Sequence, residues 1–339
     1  MTHPITDEFM LNGLALNRRK AIERAVALSI AGSALLPNHA FGQDGLIKLV
    51  VGYPPGGASD RAARLVAERM QQILKRTVVV ENRPGAGGRL AAQQLVNTPA
   101  DQTVLMIGNP AVMSVAPLVY KDLKYDAQKD FVPVASVTEY DFGVAVGAGL
   151  PLKEVSHMLA WIRANPDKAN AGVPATGSLP HFFGLMLSDM AKVNVQVVGY
   201  RGSAPLLNDL LGGQIPIAFD TLDSLLPQHE AGKLRILATS ALKRSPFTPN
   251  VPTFKEQGLP ITAVGWNTFF APATTPKAVV DLLSKTVFQI MSEPETQSKF
   301  TNAKMVPVAM NQAQTAAAFK AFNAQWKPVI ERSGFKPEA

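Results

Sequence analysis

The sequence predicts an α/β fold with two cores. Short β-branched runs alternate with runs of helical periodicity along most of the 339 residues. That length suffices for two domains, each burying a sizeable core. One unit also recurs in both halves: a strand, a turn of small residues, and a helix start.

The first such unit is a strand over 46–51, the turn Y-P-P-G-G-A-S-D over 53–60, and a helix over 60–75. In that helix Leu65, Val66, Met70, Ile73 and Leu74 recur at helical spacing, and Ser59 or Asp60 stands where an N-cap belongs. A β-branched strand over 77–81 then leads into E-N-R-P-G-A-G-G over 81–88 and a helix over 88–96. Further strands are predicted over 103–107, 132–137, 142–146, 169–173, 195–199, 215–219, 234–239 and 266–270. Helices are predicted over 152–164, 181–191, 205–211, 223–231, 276–291 and 313–332, with Pro180 suited to a first helical turn. The second and third copies of the unit turn at P-A-T-G-S-L-P-H (174–181) and G-Y-R-G-S-A-P (199–205). Such turns leave N–H groups free at helix N-termini, where the dipole favours an anion. Facing one another across a cleft, they would grip a carboxylate with backbone donors.

Two segments at this separation, Y-P-P-G-G-A-S-D and V-V-V-E-N-R-P-G-A-G-G, resemble the Bug-type periplasmic receptors of the tripartite tricarboxylate transporter family. The resemblance continues through D-F-V-P-V (130–134), Y-R-G-S-A-P (200–205), D-L-L-G-G-Q (209–214) and V-P-T (251–253), so it covers nearly everything after residue 44. It implies a type II periplasmic binding protein: two α/β lobes joined by two crossover strands, with a ligand cleft between them. One lobe would combine 43–141 with 266–339, and the other would be 142–265. The ligand-binding residues are then expected to be Tyr53, Gly56, Gly57, Ala58, Ser59 and Asp60 in the first turn. Thr176, Gly177, Ser178 and His181 would serve in the second, Tyr200, Gly202 and Ser203 in the third, with Asp220 at a strand end. Asp60 has two readings, ordering its loop and helix start or contacting a ligand amine or water. The first is the stronger, because an exposed carboxylate repels an anion. Two departures from the family pattern stand out: Gly52 replaces a proline, and Pro174 and Pro180 stiffen the second turn.

Composition narrows the function. With 47% hydrophobic and 17% charged residues, the chain reads as globular rather than disordered. Its net charge of +7 comes without a long Lys/Arg run, which argues against nucleic acid as a partner and mildly favours anionic small molecules. There is no cysteine, hence no disulfide, thiolate site, cysteine nucleophile or lipidated N-terminal cysteine. Arg18-Arg19-Lys20 ahead of an apolar run over 25–36, with Ala40 and Gly42 as small residues, predicts a signal peptide over 1–42. Its N-R-R-K resembles a twin-arginine signal. The mature protein is expected to be periplasmic, soluble, monomeric and not lipid-anchored.

Catalysis finds little support. The five histidines are scattered, none pairs at i+4, and no G-x-S-x-G elbow surrounds Ser178. G-A-G-G-R-L over 85–90 carries Leu90 where a dinucleotide fingerprint needs a small residue. No catalytic residue, metal site or cofactor is expected. The expected role is a receptor that delivers a small carboxylate to membrane transporter subunits, or to a sensor if it signals without transport. An enzyme of unknown class is the remaining alternative.

Overall fold

A computed structural model describes residues 45–336, so the predicted signal segment over 1–42 lies outside the described residues. The strands are β1 (Ile47–Val51), β2 (Val78–Asn82), β3 (Thr103–Gly108), β4 (Phe131–Gly147) and β5 (Asn170–Val173). They continue with β6 (Gln196–Gly199), β7 (Ile217–Thr221), β8 (Leu234–Thr239), β9 (Val264–Pro272) and β10 (Val306–Pro307). The helices are α1 (Ala58–Leu74), α2 (Arg89–Leu95), α3 (Ala116–Val119), α4 (Val155–Ala164) and α5 (Leu179–Ala191). Then come α6 (Ser203–Leu211), α7 (Leu222–Glu230), α8 (Lys277–Ser292), α9 (Pro294–Asn302) and α10 (Gln312–Arg332).

The sheet is two half-sheets sharing one long strand. In the first, β1 lies parallel between β2 and β3, and β9 joins β3 antiparallel. In the second, β5 lies parallel between β6 and β7, and the end of β4 joins β7 antiparallel. The two halves therefore repeat one plan, three parallel strands closed by an antiparallel strand that crosses over from the other half. Strand β4 makes the first crossing. From Phe131 to Asp141 it pairs with β9, and from Phe142 onward its partners are β7 and β8. The sequence predicts two strands here, over 132–137 and 142–146; the structure has one of 17 residues. Tyr140 and Asp141 break the apolar pattern, but ladder pairing on both sides carries the backbone through them.

The crossing points are fastened together. Ser240, fully buried, accepts the Phe142 N–H at its hydroxyl (2.8 Å) and donates that hydroxyl to the Ala263 carbonyl. Its own N–H and carbonyl bond Phe142 and Ala263 through the backbone. One residue thus holds both connections where they pass between the half-sheets.

Helices cover the sheet as their periodicity dictates. Helix α1 buries Ala62, Ala63, Val66, Ala67 and Met70, and Arg69 clamps Glu293 with two bonds of 2.7 and 2.9 Å. Helix α10 buries Phe319, Phe322, Trp326 and Ile330, packing on β4 and on α5 of the second half. The sequence pattern does not predict helix α9. Only Thr296 and Phe300 of its polar run are buried, too few for a periodic signal, although Pro294 sits in its first turn. No helix among the described residues is long and apolar enough to cross a membrane.

Candidate functional site

A cavity of about 480 Å³ opens where the two half-sheets meet. One wall is the first turn, with Tyr53, Pro54, Pro55, Gly57, Ala58 and Ser59, together with Asn109. The opposite wall is the start of α7, with Thr221, Leu222, Asp223 and Leu226, and the loop residues Ser245 and Phe247. The crossover strands supply Thr138, Glu139, Tyr140, Asp141 and Asn267, and Lys304, Met305 and Val306 close one side.

The first turn is held rigidly from behind. Helix α1 begins at Ala58 with Gly57 as its N-cap, so neither Ser59 nor Asp60 caps it through a side chain. Asp60, 2% exposed, instead accepts the Gly56 N–H (2.9 Å), Arg64 Nε (3.0 Å) and Asn82 Nδ2 (2.9 Å). Burial disfavours its charge, but those bonds and the Arg64 guanidinium outweigh it and hold the carboxyl below the usual range. Asn82 also donates to the Tyr53 carbonyl (3.1 Å), so it braces this turn rather than its own glycine-rich one. Arg83 is taken by Glu81. The glycine at 52 has a steric reason: a Cβ there would lie 2.8 Å from the Gly88 Cα, backbone against backbone. Tyr53 spans the same junction, accepting from Asn109 Nδ2 (2.8 Å) and donating to the Gly87 carbonyl (3.1 Å).

What this scaffold presents to the cavity is a set of free donors. Among the described residues the N–H groups of Gly57, Ala58, Ser59 and Asp60 take no partner, as expected of a first helical turn. The Ser59 hydroxyl is already engaged. It donates to Asn267 Oδ1 (2.7 Å), whose Nδ2 donates to Thr138 Oγ1 (2.9 Å), a chain that ties the turn to both crossover strands.

The structure does not bring the other predicted residues into this cavity. Of the fourteen, Tyr53, Gly57, Ala58 and Ser59 line it; Gly56 and Asp60 stand behind it. Thr176, Gly177, Ser178, His181, Tyr200, Gly202, Ser203 and Asp220 are not among its lining. Donors of the second turn are also largely occupied. Gly177 N–H bonds His181 Nδ1 (2.9 Å), Ser178 N–H bonds the Ala175 carbonyl, and His181 N–H bonds Ser178 Oγ (3.4 Å). Phe335 packs edge-on against His181 and Phe182, and lies where a side chain on Gly177 would go. Burial keeps His181 neutral by lowering its pKa, which suits its role as an acceptor. Tyr200 donates to Asp209 (2.9 Å), and Gly202 N–H to the Pro174 carbonyl (2.7 Å). The wall opposite α1 is therefore the start of α7, directly after Asp220. The F-D at the end of β7 is the one sequence signal pointing there.

Two buried carboxyls near this junction are pushed up to about 6. For Asp141 the causes are burial and the neighbouring Glu139; for Asp220 they are burial and Asp223, against help from Ser203 and the Thr221 N–H. Both bind a proton more tightly folded than unfolded, so ionising them costs stability. That cost is absent near pH 4 and complete above about pH 6, reaching up to about 3 kcal/mol per group. Denaturant titrations should show Asp141→Asn gaining stability over the wild type above pH 6 and losing that advantage near pH 4. An equal difference at both pH values would contradict the raised pKa.

The family model described as "Tripartite tricarboxylate transporter family receptor" matches residues 62–335. The chain belongs to that family. This receptor is 34% identical over 297 residues to a UPF0065 protein of Bordetella bronchiseptica, covering 86% of each chain. Among solved structures it is similar to R. palustris Rpa4515 with adipate, at 31% identity and a TM-score of 0.76, covering 86% of this chain and 98% of that one. It is also similar to MatC of Rhodopseudomonas palustris with bound malate, at 27% identity and a TM-score of 0.70, covering 84% and 98%. The two-lobed binding-protein fold and a role as a solute-binding receptor for transport follow from these matches.

Proposed function

We propose that this receptor works in the periplasm, holds a small carboxylated solute in the cavity between its lobes, and hands it to the membrane subunits of a tripartite tricarboxylate-type transporter. The free N–H groups of Gly57, Ala58 and Ser59 at the cavity wall carry the proposal. They aim the positive end of α1 at one point, the grip a carboxylate needs without a side-chain cation. Adipate and malate in the two similar structures agree in chemical class. The lobes are taken as 43–141 with 266–339, and 142–265. The change of partners along β4 after Asp141 supports this division. Closing of the lobes would bury the ligand and create the shape a membrane partner reads. Export rests on the basic and apolar runs before residue 42. One preparation tests both parts: protein from the periplasmic fraction, sequenced from its N-terminus and screened by thermal shift against small carboxylates. The expected result is a mature start near Gln43 and stabilisation by a subset of the carboxylates. An intact leader on cytoplasmic protein, or no shift with any carboxylate, would overturn the corresponding part.

A further inference from the structure

The cavity holds two carboxyls that the first-turn grip does not explain. Glu139 and Asp141 stand two apart on β4, so they share a face of the strand. Asp141 is 8% exposed, and no described residue donates a hydrogen bond to either carboxyl. The contrast with Asp60, also buried but holding three donors, is sharp. Buried carboxylates are ordinarily paired, and leaving one unpaired costs stability. Asp141 and Glu139 each have their pKa raised by burial, and Asp141 also by Glu139 itself. A cost carried at the wall of a binding cavity points to a partner that arrives with the ligand.

We propose that the ligand is an amino acid in the broad sense, whose carboxylate binds the N–H groups at the start of α1 and whose ammonium group binds Glu139 and Asp141. The inference rests on the carboxylate-receptor reading above and adds the second pole. A diacid would place its far carboxylate against these two, where like charges repel in a poorly solvated site. An ammonium group offers three donors to two acceptors that have none. A metal ion fits less well, because no group of three or more His, Cys, Asp or Glu among the described residues could hold one. The other titratable groups lining the cavity are Tyr53 before α1, Tyr140 on β4, Asp223 on α7 and Lys304 before β10. Lys304 is exposed, 4.0 Å from Glu230, and stands over the Phe247 ring at 5.6 Å, so its charge lies at the side rather than against Asp141. Asp223, exposed at the mouth, adds a third negative charge.

Calorimetric titration with two matched pairs decides the matter: adipate against δ-aminovalerate, and glutarate against γ-aminobutyrate. Each pair differs by one carboxylate replaced with one ammonium group. The wild type is expected to bind at least one amino acid about tenfold or more tighter than its diacid. Asp141→Asn and Glu139→Gln should each shrink that ratio, with circular dichroism confirming the fold. Because Asp141 must be ionised to act, the wild-type preference should also weaken as pH falls below about 6. Diacids binding as tightly as their partners, with a ratio unmoved by Asp141→Asn, would overturn the inference and leave the receptor reading standing. Binding of neither pair, to wild type or variants, would count against both.

Discussion

Gly57→Val is expected to weaken ligand binding severely while leaving the fold intact. Gly57 has φ −70° and ψ 170°, ordinary extended backbone that valine adopts. A Cβ there would meet nothing nearer than the Pro54 carbonyl oxygen at 4.0 Å. Its methyl groups would instead enter the cavity in front of the Gly57, Ala58 and Ser59 donors. A carboxylate that stabilises the wild type should lose on the order of a hundredfold in affinity, with an almost unchanged melting temperature. Gly177→Val should behave in the opposite way. There φ is +79°, and a Cβ would lie 2.6 Å from the Phe335 ring, so melting temperature should fall while ligand affinity of the folded fraction changes little. Normal binding by the Gly57 variant would remove the α1 start from the site.

Asp60→Ala should be the most damaging single change behind the cavity. It leaves the Gly56 N–H, the Asn82 amide and Arg64 without their shared acceptor. Loss of such a buried hub costs about 2–4 kcal/mol, and the first turn loses the tie that fixes its donors. Denaturant unfolding should show that loss, and binding should weaken with it. Wild-type stability combined with lost binding would show instead that Asp60 contacts the ligand directly.

Local patterns carried most of the fold. The strand–turn–helix units around 46–75 and 169–191 lie within a residue or two of their predicted ends, because turn residues and apolar periodicity are local properties. The first turn, which lines the cavity, was legible for the same reason. The remaining walls were not, since they depend on contacts between distant segments. Ser59 meets Asn267 across 208 positions, and Thr138 joins them from a third segment. Glu139 and Asp141 read as polar interruptions between two strands, whereas they belong to one strand whose pairing changes sides. The second and third turns have the right local form for anion binding. What sequence could not reveal is which donors their neighbours take: His181 and Ala175 take the Gly177 and Ser178 N–H groups, and Pro174 takes that of Gly202.

The fastening at Ser240 has a mechanical consequence. Two straps that pass between bodies at separate places permit shear and twist; two straps pinned at a common point act as a pivot. Phe142 and Ala263 are pinned in this way by one side chain and one peptide unit. Displacement about a pivot grows with distance from it. Asp141 adjoins the pin and Glu139 lies two residues further, so any rocking of the lobes leaves them nearly stationary. Wall residues farther from the pin would sweep a longer arc. The still centre would register which solute has entered, and the moving edge would announce that it has been caught.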